Sequence, residues 1–180
     1  MFATPRRRLA VAAAAAVLAT TAGAAIASPD ASAAPYCGIT WGSLAKATSP
    51  TALWSGRVTG VRAGQHACYD RLVLDLAPGR GRVGYSVRYV STVTGPGSGL
   101  PVPVAGGARL QVTVDAPSTL GTGTRTFTGW RTFRQLKDVG SFEGYTDFGL
   151  GVRARLPMRA FVLTDADGGR RLVVDVAHHW

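Results

Sequence analysis

The sequence predicts an all-β sandwich preceded by a cleavable export signal, and three observations carry that prediction. Apolar residues alternate with polar ones at a period of two through most of the chain, the pattern of strands with one face in a core and one in solvent. Clusters of Gly and Pro separate these runs, as turns require. Beyond residue 50 no segment sustains helical spacing, so the strands are not joined by crossover helices, and a sandwich or barrel follows rather than βαβ units.

Residues 1–34 have the three parts of a secretory signal. Arg6, Arg7 and Arg8 form the positive region, an Ala-, Val- and Leu-rich run follows, and small residues offer cleavage after Ala27, Ala33 or Ala34. An uncleaved anchor is the rival reading, since the run approaches the roughly 20 residues needed to cross a bilayer. Alanine drives insertion weakly, and cleavage is the expectation, leaving no transmembrane anchor. The paired arginines lack the residues of a twin-arginine signal, so the general export route is expected. Ala34-Pro35-Tyr36 before Cys37 does not fit a lipid-modified cysteine.

Cleavage leaves 146 residues, enough for one domain that buries about two-thirds of its unfolded surface. The expected organisation is a lead-in over residues 35–55, with a helical turn at Gly42-Ser43-Leu44-Ala45-Lys46, then a sandwich over 56–180. Cys37 and Cys68 are the only cysteines, and in an oxidising compartment they are expected to form one disulfide. It would pin the lead-in to the sheet and contribute about 3–4 kcal/mol on the loop-entropy model.

The strands read in order. Leu72, Leu74 and Leu76 alternate with Arg71, Val73 and Asp75; Tyr85, Val87 and Tyr89 follow, then Leu110, Val112 and Val114. Phe148, Leu150 and Val152 continue the series, as do Phe161 and Leu163, then Leu172, Val174 and Val176. Arg71-Leu72-Val73-Leu74-Asp75-Leu76 recurs as Arg171-Leu172-Val173-Val174-Asp175-Val176, which points to two equivalent strands with Arg, Val and Asp on the outer face.

With Met158-Arg159-Ala160-Phe161-Val162-Leu163 leading into the second copy, these segments resemble the AMIN domain family. In that family an F-x-L strand and an R-L-V-V-D-V closing strand recur. Tyr36-Cys37-Gly38-Ile39-Thr40-Trp41-Gly42-Ser43, Gly64-Gln65-His66-Ala67-Cys68-Tyr69-Asp70-Arg71 and Gly149-Leu150-Gly151-Val152-Arg153-Ala154 are similar to the stand-alone secreted AMIN-like proteins of actinobacteria. The resemblance covers roughly residues 36–180. It implies a β-sandwich of two related sheets and a non-catalytic targeting module that associates with peptidoglycan. Unlike the family's amidases and secretion-channel proteins, this chain is expected to carry no further domain after Trp180.

Charge narrows the partner. Residues 1–34 hold Arg6, Arg7, Arg8 and Asp30, so the chain's 20 basic and 10 acidic side chains fall to 17 and 9, a net charge of +8. Outside the cell that favours anionic wall polymers, acidic glycans or lipid headgroups. The basic residues are scattered and carry no nucleic-acid motif, so no nucleic-acid partner is expected. Gly79-Arg80-Gly81-Arg82-Val83-Gly84 matches a dinucleotide fingerprint but precedes a strand where a phosphate-binding helix is required, so a hairpin turn is expected.

Catalytic candidates are weak, and no enzyme, cofactor or metal is expected. Gly140-Ser141-Phe142-Glu143-Gly144 is one residue short of a nucleophile elbow. His66 and Cys68, with His178 and His179, group too few donors for zinc, and a Glu143–Asp147 glycosidase pair competes with solvated loop acids. Binding candidates are stronger, because Arg forks suit carboxylates and phosphates while aromatics suit sugar faces. In Trp130-Arg131-Thr132-Phe133-Arg134 a strand places Trp130, Thr132 and Arg134 on one face; Arg153 and Arg155 alternate likewise. The ligand-binding set is therefore Arg71, Asp75, Trp130, Arg131, Arg134, Arg153, Arg171 and Asp175. Arg71 and Asp75 are about 13 Å apart along one strand and cannot pair with each other; each pairs across strands or meets a ligand. The expected partner is peptidoglycan or a linked anionic wall polymer for a secreted, wall-associated protein. An envelope protein is the alternative, and a secreted hydrolase comes third.

Overall fold

The computed structural model describes residues 35–51 and 53–180, so the export-signal expectation lies outside the described residues. The chain runs β1 Lys46–Thr48, β2 Val58–Gln65, β3 Tyr69–Leu76, β4 Tyr85–Val90, β5 Val93–Thr94, β6 Pro101–Val102, β7 Ala108–Val114, β8 Thr124–Thr126, β9 Phe133–Phe142, β10 Tyr145–Val152, β11 Met158–Thr164 and β12 Arg170–Ala177. A six-stranded sheet has the order β1-β4-β7-β10-β9-β8, and a four-stranded sheet β11-β12-β3-β2. Every named pairing is antiparallel. The fold is all-β, with the expected Gly and Pro clusters falling between strands.

The core is the space between the two sheets. Leu72, Leu74, Leu76, Leu172, Val174 and Val176 meet Val87, Leu110, Val112, Val114, Phe148, Leu150 and Val152 there, all fully buried or nearly so. Strand β10 is buried on both faces. Gly149 and Gly151 point away from the core, where β-carbons would lie 2.8 Å from Val104 and 1.8 Å from the Ala105 carbonyl oxygen. The excursion over residues 91–107 therefore packs directly on the sheet, and only glycine leaves room for it. Gln111 ties that excursion down by exchanging hydrogen bonds with the Thr94 backbone.

The two Arg-Leu-Val copies are neighbours in one sheet. They pair antiparallel about a local two-fold at Val73↔Val173, which sets Arg71 opposite Asp175 and Asp75 opposite Arg171. The repeat thus relates strands within the four-stranded sheet rather than one sheet to the other.

Several local expectations give way. Gly42-Ser43-Leu44-Ala45-Lys46 is not a helical turn; Lys46–Thr48 is extended and pairs with β4. Phe161 and Leu163 face outward, because β11 is apolar on both parities and its register seats Ala160 and Val162 beside Val174 and Leu172 on the core side. The 79–84 glycine segment is no hairpin, since β3 and β4 lie in different sheets and the segment crosses between them. Gly79 is instead shaped by Trp54, whose ring a β-carbon there would meet at 2.7 Å. Residues 130–132 precede β9, so the expected alternation fails and Trp130 stacks on Phe133 at 5.9 Å between centroids.

The disulfide joins Cys37 to Cys68, with Cα atoms 6.4 Å apart. It draws the lead-in onto the end of the sandwich where β3, β9, β11 and the C-terminal residues meet.

Candidate functional site

Two sets of arginines occupy different places, and their partners separate them. The first covers the outer face of the four-stranded sheet. Arg71 grips the Asp175 carboxylate with two nitrogens at 2.6 and 2.9 Å. Arg159 adds a third bond at 2.8 Å. Asp175 is fully buried beneath them. Arg62 holds Asp75 at 2.6 and 2.7 Å, and Arg171 holds Asp165 at 2.6 Å. Tyr69, Phe161 and Trp41 lie against the Arg159 guanidinium, with ring centroids 5.1–5.4 Å away. Of the sequence-derived candidates, Arg71, Asp75, Arg171 and Asp175 therefore belong to a cross-strand charge ladder. Alternation along β11 and β2 missed their partners Arg62, Arg159 and Asp165; the antiparallel register sets Arg159 opposite Asp175 and Arg62 diagonal to Asp75, and Asp165 follows directly after β11.

The second set gathers at one end of the sandwich, where the loops before β3, β9 and β11 meet the C-terminal residues. Arg131 donates to the Ala67 carbonyl at 3.4 Å and Arg155 to the Ser43 carbonyl at 3.2 Å. Arg153 donates to the His178 carbonyl. All three are exposed, and none forms an ion pair among the described residues. Trp180, 68% exposed, donates from its indole to the Arg155 carbonyl, and Tyr36 packs edge-on against His179. Here are cations held in place by backbone oxygens, with their charge uncompensated, beside an open indole face.

Trp130 and Arg134 do not join them. Trp130 packs on Phe127 and Phe133 in the core margin, and Arg134 donates at 2.8 Å to the Trp130 and Phe133 carbonyls.

Beneath this end lies a buried polar lock. Asp70 accepts the Thr132 and Phe133 amides at 2.8 Å each. The His178 ring bridges Thr132 Oγ1 at 3.2 Å and the His66 carbonyl at 3.0 Å. A carbonyl only accepts, so Nε2 carries the proton and Nδ1 is free to accept from Thr132. Burial lowers the His178 pKa against the pull of Asp70, and Arg131, His179 and Arg153 press the same way as burial. Asp70, Thr132 and His178 superficially form an acid–hydroxyl–imidazole set, but the Thr132 hydroxyl is fully buried and Asp70 is turned to backbone amides. The set fastens strand ends together.

The remaining candidates separate in space. Glu143 is exposed at the two-residue β9–β10 turn with φ +48°, while Asp147 is buried against Gln111 and Thr113. His66 stacks on Tyr69 at 4.6 Å, and no group of three metal-ligating side chains occurs among the described residues.

A protein-family model described as the AMIN-like domain matches residues 56–178, more than half of the chain. Comparison with curated proteins and with solved structures returns no match.

Proposed function

The chain belongs to the AMIN-like domain family, and from that premise we propose that it is a secreted, non-catalytic module that holds the cell envelope by binding peptidoglycan or a wall-linked anionic polymer. AMIN-like domains are in general binding modules of the envelope. The observation that carries the finer reading is the end cluster of Arg131, Arg153 and Arg155, exposed and without a carboxylate partner among the described residues. A guanidinium already oriented by a carbonyl keeps its other N–H groups for a ligand carboxylate or phosphate, and the planar fork takes such groups bidentately. Trp180 beside them offers a flat apolar face to a sugar ring. The net charge of +8 left after signal removal supports the same class of ligand.

Co-sedimentation with purified sacculi tests this. Binding is expected to weaken as salt rises from about 0.05 to 0.5 M, since screening shortens to a few ångströms. Arg131→Ala with Arg153→Ala and Arg155→Ala should remove most binding at moderate salt, while Arg82→Ala, at the opposite end, should change little. Stripping anionic polymers from the sacculi separates the two wall ligands. No sedimentation at low salt with either preparation overturns the reading in favour of an envelope-protein partner.

A further inference from the structure

The seam between edge strands β2 and β8 leaves a cleft of about 350 Å3 that opens between the sheets. That size falls at the low end of small-molecule sites, about 300–1,000 Å3. Val61, Leu120, Leu136 and Phe148 form its apolar walls. Asp138 reaches into it from β9: it pairs across from Phe148 and lies two residues beyond Leu136, so it shares their core-facing side. Its carboxylate oxygen Oδ1 is buried and has no partner among the described residues. An acid aimed inward between sheets with an empty acceptor is out of place as a packing residue, because a buried polar atom without a partner is costly. Burial accordingly raises its pKa.

Arg125 stands at the rim. It pairs with Leu136 on the neighbouring strand, a diagonal from Asp138 that spaces the two residues by about 7–8 Å. It is exposed and in no ion pair among the described residues. Gly121 and Gly123 flank the mouth with open space where β-carbons would be.

We propose that this cleft binds a primary ammonium carried on a short alkyl chain, the ammonium donating to Asp138 Oδ1 and the chain lying on Val61, Leu136 and Phe148. A carboxylate at the outer end of the same chain meets Arg125, so an ω-amino acid is held better than a simple amine. The site lies apart from the basic end of the sandwich and stands or falls independently of the wall-binding reading.

The test titrates the purified chain with 6-aminohexanoate, hexylamine and hexanoate, each up to about 10 mM, and reads heat and amide NMR shifts. The expected order is 6-aminohexanoate, then hexylamine, with hexanoate not binding, and with shifts concentrated at Leu120, Gly121, Gly123, Thr124 and Asp138. Asp138→Asn should weaken both amines at least about 10-fold, the loss of a charge-assisted contact. Because it removes an unpaired buried acid, the variant should melt no earlier than the parent, which separates lost binding from lost fold. Arg125→Gln should bring 6-aminohexanoate down to the affinity of hexylamine and leave hexylamine unweakened. Hexanoate binding as well as the amines, unchanged amine binding in Asp138→Asn, or no shift at the cleft with any probe overturns the proposal. So does a loss of amine binding in Arg125→Gln equal to that in Asp138→Asn.

Discussion

Arginine does opposite work in two regions of this molecule. On the outer face of the four-stranded sheet, Arg62, Arg71, Arg159 and Arg171 are matched with Asp75, Asp175 and Asp165, and Val173 beneath them is almost sealed from water. At the end of the sandwich, Arg131, Arg153 and Arg155 hold carbonyl oxygens, and Arg155 also lies over the Tyr89 ring. Both sets are anchored, but the first sets three acids against its four arginines, Asp175 serving two of them, whereas the second has no acid at all among the described residues. A count of arginines says nothing about which is which. The acids across the strand decide it.

Removing the acid at the centre of the ladder should have the largest effect. Asp175→Asn leaves Arg71 and Arg159 facing each other over a buried amide, and breaking a buried pair in this way costs about 3–5 kcal/mol. Urea denaturation of the variant measures it, and a loss below about 1 kcal/mol, the range of exposed ion pairs, would erase the distinction between the two regions. Next comes the disulfide that holds the lead-in against the basic end. Replacing Cys37 and Cys68 together with Ser should cost about 3.7 kcal/mol on the loop-entropy model for a separation of 31 residues. Alkylation and mass spectrometry should find both thiols blocked in the parent until reduction.

The end arginines should behave differently. Arg131→Ala with Arg153→Ala is expected to cost about 1–2 kcal/mol, since Arg131 loses an exposed hydrogen bond and Arg153 a partly buried one. The same double variant should lose sacculus binding, whereas Arg62→Ala should keep it. An Arg62→Ala variant that fails to bind would move the ligand to the ladder.

The smallest effect is one of pH. His178 titrates near 6.5 when unfolded and lower when folded. The unfolded state therefore takes up the proton first, so the contribution of neutral His178 is full above 6.5 and is lost as pH falls toward the folded pKa. The slope is at most about 1.4 kcal/mol per pH unit. It should be missing from His178→Gln when the two stability profiles are compared, and identical slopes in both proteins would remove His178 from the account. Asp70, Arg131, Arg153 and His179 act on the ring and remain in both proteins.

Alternation, turn residues and cysteine number are properties of neighbours along the chain, and they determined much by themselves. The core aliphatics of β3, β7, β10 and β12, the glycine-rich connections and the Cys37–Cys68 pair were all legible, and so was the family. The conclusion that Arg71 and Asp75 must look across strands was legible too, from the rise per residue alone. Identifying their partners was not. Alternation put Phe161 in the core-facing series, and the register with β12 seated Val162 inward instead. Trp130 looked like a binding surface until the chain bent before β9 and stacked it on Phe133. The charge partners and the facing of Phe161 depend on strands brought side by side from elsewhere in the chain, and no local pattern encodes that register; Trp130 was decided by a nearby bend that alternation does not record.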